Sequence, residues 1–261
     1  MNIIDVSRYE YKYLVDSHQV PEVRRFLLQY CSPDSNAYGT EWYGIQSLYL
    51  DTPGYAFYRA SVDQAVERLK LRVRGYGNGS GTVKLEIKRR IGDVISKRSL
   101  AVPQDVWDHF DRTGVWRFAE TTSAALPFVG LVEQMRAAPK VLVYYERHAL
   151  FSNVDDYVRV TFDRRIQCQR MLDWSLLGDP RGWLSVDEPA GADEEYSTYV
   201  LELKFKVAPP AWLRDMVLTF RLFRRGFSKY GRAVTRLRSY RDSAWDLRTC
   251  TGIPARVASV A

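Results

Sequence analysis

Cysteine and histidine are scarce in this chain, with three of each in 261 residues. Cys31, Cys168 and Cys250 form no Cys-x-x-Cys pair, which excludes a disulfide scaffold and a cysteine zinc site and suits a reducing cytosol. His18, His109 and His148 are too scattered for a histidine-rich metal centre. No apolar run approaches the roughly 18 residues of a membrane span. The opening MNIIDVSRYEYKY, with Asp5 and Arg8, lacks the pattern of a signal peptide. Low-complexity tracts, internal repeats and an interdomain linker are missing too. The expectation is a soluble, cytoplasmic protein with one domain over residues 1–247 and a flexible tail over 248–261.

What is present is an ordinary globular composition, 46% hydrophobic and 26% charged, with Lys+Arg 38 against Asp+Glu 31. The net charge of +7 is modest, so its placement matters more than its total. Apolar residues recur mostly with period two, predicting strands over 8–15, 46–50, 67–76, 81–90, 94–100, 141–151, 157–167 and 199–207. Helical spacing predicts helices over 17–30, 55–63, 104–110, 122–137, 210–223 and 228–241. A Gly-Asn-Gly-Ser-Gly hairpin turn ends at Gly81, and 172–195 reads as an irregular excursion.

The alternating polar positions of five strands are strongly cationic. Arg8, Lys12, Lys70, Arg72, Arg74, Lys84, Lys88, Arg159, Lys204 and Lys206 share that face with only Glu10, Glu86, Asp163 and Glu202. Successive side chains on a strand point to opposite faces, so each strand carries one apolar and one charged face. A solvated face gains nothing from repulsion between neighbouring like charges. A sheet curled with that face inward focuses the potential into a tunnel, while amphipathic helices cover its outer apolar face. This is an α+β chain with an antiparallel β-barrel tunnel and helices packed on the outside. Such a tunnel suits a dense polyanion held by guanidinium forks and ammonium groups. Glu202, Glu10 and Glu86 are candidates either for ligation of a hard cation or for internal ion pairs. Tyr9, Tyr11 and Tyr13 alternate away from the cations, which argues against nucleic acid as the partner.

Nine short motifs in one order carry a resemblance. They are Arg8-Tyr-Glu10-Tyr-Lys12-Tyr, Ser47-Leu-Tyr-Leu-Asp51-Thr52, Lys70-Leu-Arg72-Val-Arg74, Lys84-Leu-Glu86-Ile-Lys88, Ser96-Lys97-Arg98, Tyr145-Glu-Arg147, Val158-Arg159-Val-Thr-Phe-Asp163, Leu201-Glu202-Leu-Lys204 and Phe227-Ser228-Lys229-Tyr230. Together they resemble the VTC polyphosphate polymerase domain of the triphosphate tunnel metalloenzymes. That resemblance implies a metal-dependent transferase that passes the γ-phosphoryl group of ATP to a growing polyphosphate chain, with pyrophosphate and other triphosphates also fitting the site. It implies phosphate binding by Lys12, Arg72, Arg74, Lys84, Lys88, Lys97, Arg147, Arg159, Lys204, Ser228 and Lys229. Arg72, Arg74, Lys88, Arg159 and Glu202 would act in catalysis. Mn²⁺ or Mg²⁺ would sit on Glu202, with Glu10 and Glu86 in support. Arg8 stands where hydrolytic tunnel enzymes keep a first glutamate, which favours the polymerase branch over a tripolyphosphatase, a nucleoside triphosphatase or a non-catalytic polyphosphate-binding module. The chain carries no SPX domain and no membrane helix, leaving a separate membrane partner open. The plain reading of Lys229 is a solvated basic face. His148 reads as a packed or solvent-exposed residue, and Asp51 as a loop or cap residue.

Overall fold

The computed structural model describes residues 9–34, 41–77, 81–92, 94–114, 125–155, 157–186 and 198–250, with side chains described through residue 239. The readings placed on Arg8, on positions 78–80 of the glycine-rich turn and on 251–261 lie outside the described residues.

The described residues form one ten-stranded sheet in which every ladder is antiparallel. The strands are β1 (Tyr9–Asp16), β2 (Cys31–Pro33), β3 (Tyr43–Asp51), β4 (Glu67–Tyr76), β5 (Thr82–Ile91), β6 (Val94–Pro103), β7 (Ala138–Ser152), β8 (Val158–Arg170), β9 (Leu184–Ser185) and β10 (Thr198–Phe205). Their order is β1-β10-β8-β7-β3-β4-β5-β6, with β2 beside β7 and β9 beside β8. The sheet curls strongly, yet among the described residues β1 and β6 remain edges with no ladder between them. The expected barrel is therefore a curled sheet, closed across its open side by side chains.

The period-two pattern explains the layers. Leu48, Leu71, Val73, Val83 and Leu85 turn to the outer face, where Trp107 and Phe110 of α3 (Gln104–Thr113) and Phe128 of α4 (Leu126–Gln134) cover them. The outward residues of β1, β8 and β10, including Tyr13, Val160 and Leu203, pack under α1 (Val20–Leu27) and α5 (Ala211–Thr219). Tyr9 stacks on Phe205 at 5.8 Å and also reaches the lining of the charged cavity, unlike the expectation that it turns away from the cations. Each fully buried aromatic or aliphatic side chain here contributes about 1.5–3 kcal/mol.

A further helix, α6 (Lys229–Cys250), runs past the expected end at Arg241. Its first turns pack Tyr230, Ala233 and Val234 against Ile45, Val143, Tyr145 and Cys168, which share the parity of the charged face. The start of α6 thus covers one end of the inner surface and delivers residues into it. Asp51, at the end of β3, fastens this arrangement. Its carboxylate accepts the backbone N–H of Phe57 and of Tyr58 at the start of α2 (Ala56–Val62), each at 2.9 Å, and the Tyr230 hydroxyl. That makes it the cap residue anticipated. The segment 172–186 is largely irregular apart from β9, as expected, and positions 187–195 lie outside the described residues.

Candidate functional site

Between the curled inner face and the start of α6 lies a cavity of about 330 Å³. All fourteen residues singled out from sequence line it. Glu10 and Lys12 come from β1, Arg72 and Arg74 from β4, and Lys84, Glu86 and Lys88 from β5. Lys97 comes from β6, Arg147 from β7, Arg159 from β8, and Glu202 and Lys204 from β10. Ser228 and Lys229 enter at the head of α6, and Lys70 joins them from β4. Lys206, assigned to the same face, lies exposed beyond the end of β10. Eleven Lys and Arg side chains against three Glu leave the lining strongly positive.

The carboxylates divide into two groups. Lys12 Nζ stands 3.1 Å from Glu10 and 3.0 Å from Glu202. Glu202 also meets Lys204 at 2.9 Å, Lys229 at 3.5 Å and Arg147 at 3.6 Å. Burial disfavours its charge, but Lys12, Lys204, Lys229 and Arg147 hold its carboxyl well below the usual range. The second group centres on Glu86, which pairs with Arg72, with Lys97 at 2.5 Å and with Arg74 at 3.6 Å. Here too burial acts to raise the carboxyl, and Arg72, Arg74 and Lys97 outweigh it.

These groups test the expected metal ligands. Glu10 and Glu202 turn oxygens toward one common point, now held by the Lys12 ammonium. Two carboxylates completed by phosphate oxygens are the donor set that Mg²⁺ or Mn²⁺ takes in phosphate sites. That pair fits a divalent cation. Glu86 shares no cation with Glu10 or Glu202 and sits in its own cluster with Arg72, Arg74 and Lys97. Among the described residues no three His, Cys, Asp or Glu side chains gather as a metal-binding group.

Beneath the lining, Asp163 is fully buried and forks onto Arg147, accepting from Nε at 2.6 Å and from Nη2 at 2.7 Å, and it also receives the Lys229 ammonium. Sequence reasoning placed Asp163 on the charged face without giving it a role. The signal that finds it is the cross-strand register Arg147↔Asp163, a property of pairing rather than of either motif. Asp34 likewise meets Arg159 at 2.6 Å. These carboxylates stiffen the cations without filling the cavity. Lys229 is 7% exposed, so its reading as part of a solvated basic face is corrected. His148 is buried on the other side, its Nδ1 2.7 Å from the Glu41 carbonyl, a packed residue.

Lys70 stands apart from the paired cations. Its Nζ donates to Ser228 Oγ at 3.0 Å. Burial, then the ammonium groups of Lys12 and Lys88, push it down to about 7. Burial is also the largest influence on Lys97; Glu86 opposes it, Arg74 and Arg72 reinforce it, and the net is a lowering to about 7. Tyr49 and Tyr145 supply aromatic walls, with the Arg147 guanidinium 5.3 Å and the Lys229 ammonium 4.7 Å from the Tyr145 ring centre.

The family model described as the VTC domain matches residues 7–238. Among solved structures, a candidate adenylate cyclase from Bacillus halodurans is similar at 10% identity over 86% of this chain and 95% of that one, with a TM-score of 0.50. The PH1819 protein from Pyrococcus horikoshii is similar at 12% identity over 89% and 98%, with a TM-score of 0.43. A candidate adenylyl cyclase from Hippeastrum, described as having a dominant triphosphatase activity, aligns at 11% identity over 86% and 93%, with a TM-score of 0.45. At such identities the first of these shows the fold alone. No curated protein matches the sequence. Among the described residues no helix is long and apolar enough to cross a membrane.

Proposed function

This chain belongs to the VTC domain family, and on that premise we propose that it is a cytoplasmic polyphosphate polymerase whose residues 1–247 form one catalytic unit. It takes ATP as donor and moves the γ-phosphoryl group onto inorganic polyphosphate. The observation that carries this reading is the cavity lining, eleven cations against three glutamates, with the cations held in place by carboxylates on or behind that surface.

Phosphoryl transfer asks little covalent work of a protein; positioning and neutralisation of the phosphoryl oxygens do most of it. Arg72, Arg74, Arg147 and Arg159 offer forks for non-bridging oxygens. Arg74 and Arg159 each retain a buried Nε–H without a protein acceptor among the described residues, donors that a triphosphate oxygen would satisfy. Lys12, Lys84, Lys88, Lys97, Lys204 and Lys229 add point charges, and the Ser228 hydroxyl adds a hydrogen-bonding group beside them. Glu202 and Glu10 would hold Mn²⁺ or Mg²⁺, which would supply positive charge to offset that of the transferring phosphoryl group.

The test is purified protein with ATP and Mn²⁺, its products resolved on a gel stained for polyphosphate. A ladder of chains that disappears in Glu202→Ala supports the proposal. Orthophosphate without chains would move the chain to a hydrolytic role, and triphosphate binding without turnover would make it a binding module.

A further inference from the structure

We propose that Ser228 is itself phosphorylated by the bound triphosphate, with Lys70 as the base that takes its proton. This rests on the reading of the cavity as a triphosphate site and adds a covalent step to it. Ser228 lines the cavity at the head of α6, and Lys70 reaches it from β4, two elements 158 residues apart in sequence that bring Nζ to 3.0 Å from Oγ. The Gly231 amide also donates to Oγ, at 3.1 Å, fixing the rotamer.

A serine beside a lysine acts as a nucleophile only if the amine is free to accept a proton. The surroundings of Lys70 favour the free amine. It faces Lys12, Lys88 and Arg72, with Glu10 the one carboxylate among the groups that act on it and too weak to restore its ordinary basicity. With the cavity free of ligand, a lysine lowered to about 7 is about half neutral at pH 7, against well under about 0.1% for an ordinary lysine. Lys12, Lys88, Lys229 and Glu86 are all ion-paired, which leaves them less suited to the task.

The step balances within the site. The Ser228 O–H bond breaks and its proton passes to Lys70 Nζ. Oγ bonds to the γ-phosphorus, the bond from that phosphorus to the β,γ-bridging oxygen breaks, and the nucleoside diphosphate leaves with the electron pair. The new Lys70 ammonium then neutralises the phosphoserine beside it. Attack by the terminal oxygen of a polyphosphate chain regenerates Ser228, which recovers its proton from Lys70.

The experiment mixes the full chain with ATP and Mn²⁺, quenches in acid within one turnover, and reads both ADP release and the Ser228 peptide by mass spectrometry. The proposal expects phosphate on Ser228, increasing as pH rises from 6 to 8, chased off by added polyphosphate, and reduced at least tenfold in Lys70→Arg, which keeps the charge and lacks the base. Binding of tripolyphosphate by Lys70→Arg, followed by calorimetry, confirms that this variant is folded. ADP release with unmodified Ser228 would overturn the covalent step and leave the polymerase reading standing. Equal modification in Lys70→Arg would overturn the role of Lys70. Absence of both ADP release and modification would overturn this proposal and the transferase reading together.

Discussion

Glu10 on β1 reaches 3.2 Å to the Lys88 ammonium on β5, although those two strands share no backbone ladder. The contact spans the open side of the curled sheet, where β1 and β6 remain unpaired edges. A tunnel wall is thus completed by an ion pair, a far softer closure than hydrogen-bonded strands.

The softness of that closure is measurable. Lys88 is about a third exposed, so Lys88→Ala is expected to change folding stability by no more than about 1 kcal/mol. Triphosphate affinity is expected to fall several-fold, because the lost charge faces the cavity. Urea unfolding and calorimetric titration separate the two effects.

The Arg147–Asp163 pair gives the opposite expectation. Asp163→Asn removes the nearest counter-charge of the buried Arg147 and Lys229, leaving them only Glu202 at 3.6 and 3.5 Å, and should cost about 3–5 kcal/mol. Burial acts to raise the Asp163 carboxyl, and Arg147 with Lys229 outweighs it, so the folded value lies below the unfolded one of about 3.9. The unfolded chain therefore binds the extra proton as pH falls. The stabilisation is complete above about pH 5 and is lost as pH drops through the folded value. Unfolding measured from pH 5 to 2 should show a shallower pH dependence in Asp163→Asn than in the parent.

Glu202 and Glu86 lie in the same cavity but in different clusters, and their variants should differ in kind. Glu202→Gln is expected to lower metal-dependent turnover by about 100-fold or more, while triphosphate binding without metal persists. Glu86→Gln is expected to keep a response to Mn²⁺. Metal titrations of turnover in both variants decide this, and equal loss of metal response would undo the division into two clusters.

Arg72→Ala and Arg159→Ala each remove a charge-assisted donor worth about 1.5–3 kcal/mol, or about 10- to 100-fold in affinity. The salt dependence of tripolyphosphate binding should flatten in both, since exposed charge interactions are screened. Unchanged binding in both variants would mean that this face does not hold the ligand.

Much of this architecture was legible in the alternation of residues along single strands. Leu71 and Val73 against Arg72 and Arg74 is a local pattern, and it placed the charged lining and the outer core together. The relation between strands was not legible in this way. Arg147 meets Asp163 through register, and Glu86 gathers Arg72, Arg74 and Lys97 in a cluster apart from Glu10 and Glu202. The short strands β2 and β9 carry too few residues to show a period. Helix α6 has polar residues all around its later turns, so apolar spacing could not mark its end. Tyr230 was read as part of a motif, whereas its bond to Asp51 ties that helix to the cap of α2.

The central claim is that a triphosphate in this cavity gives its terminal phosphoryl group to phosphate rather than to water. Phosphorus NMR of the full chain with ATP and Mg²⁺ follows both fates in one sample. The account predicts a growing signal from internal polyphosphate phosphorus in step with ADP, with little orthophosphate. Orthophosphate rising in step with ADP, with no internal-chain signal, would contradict it.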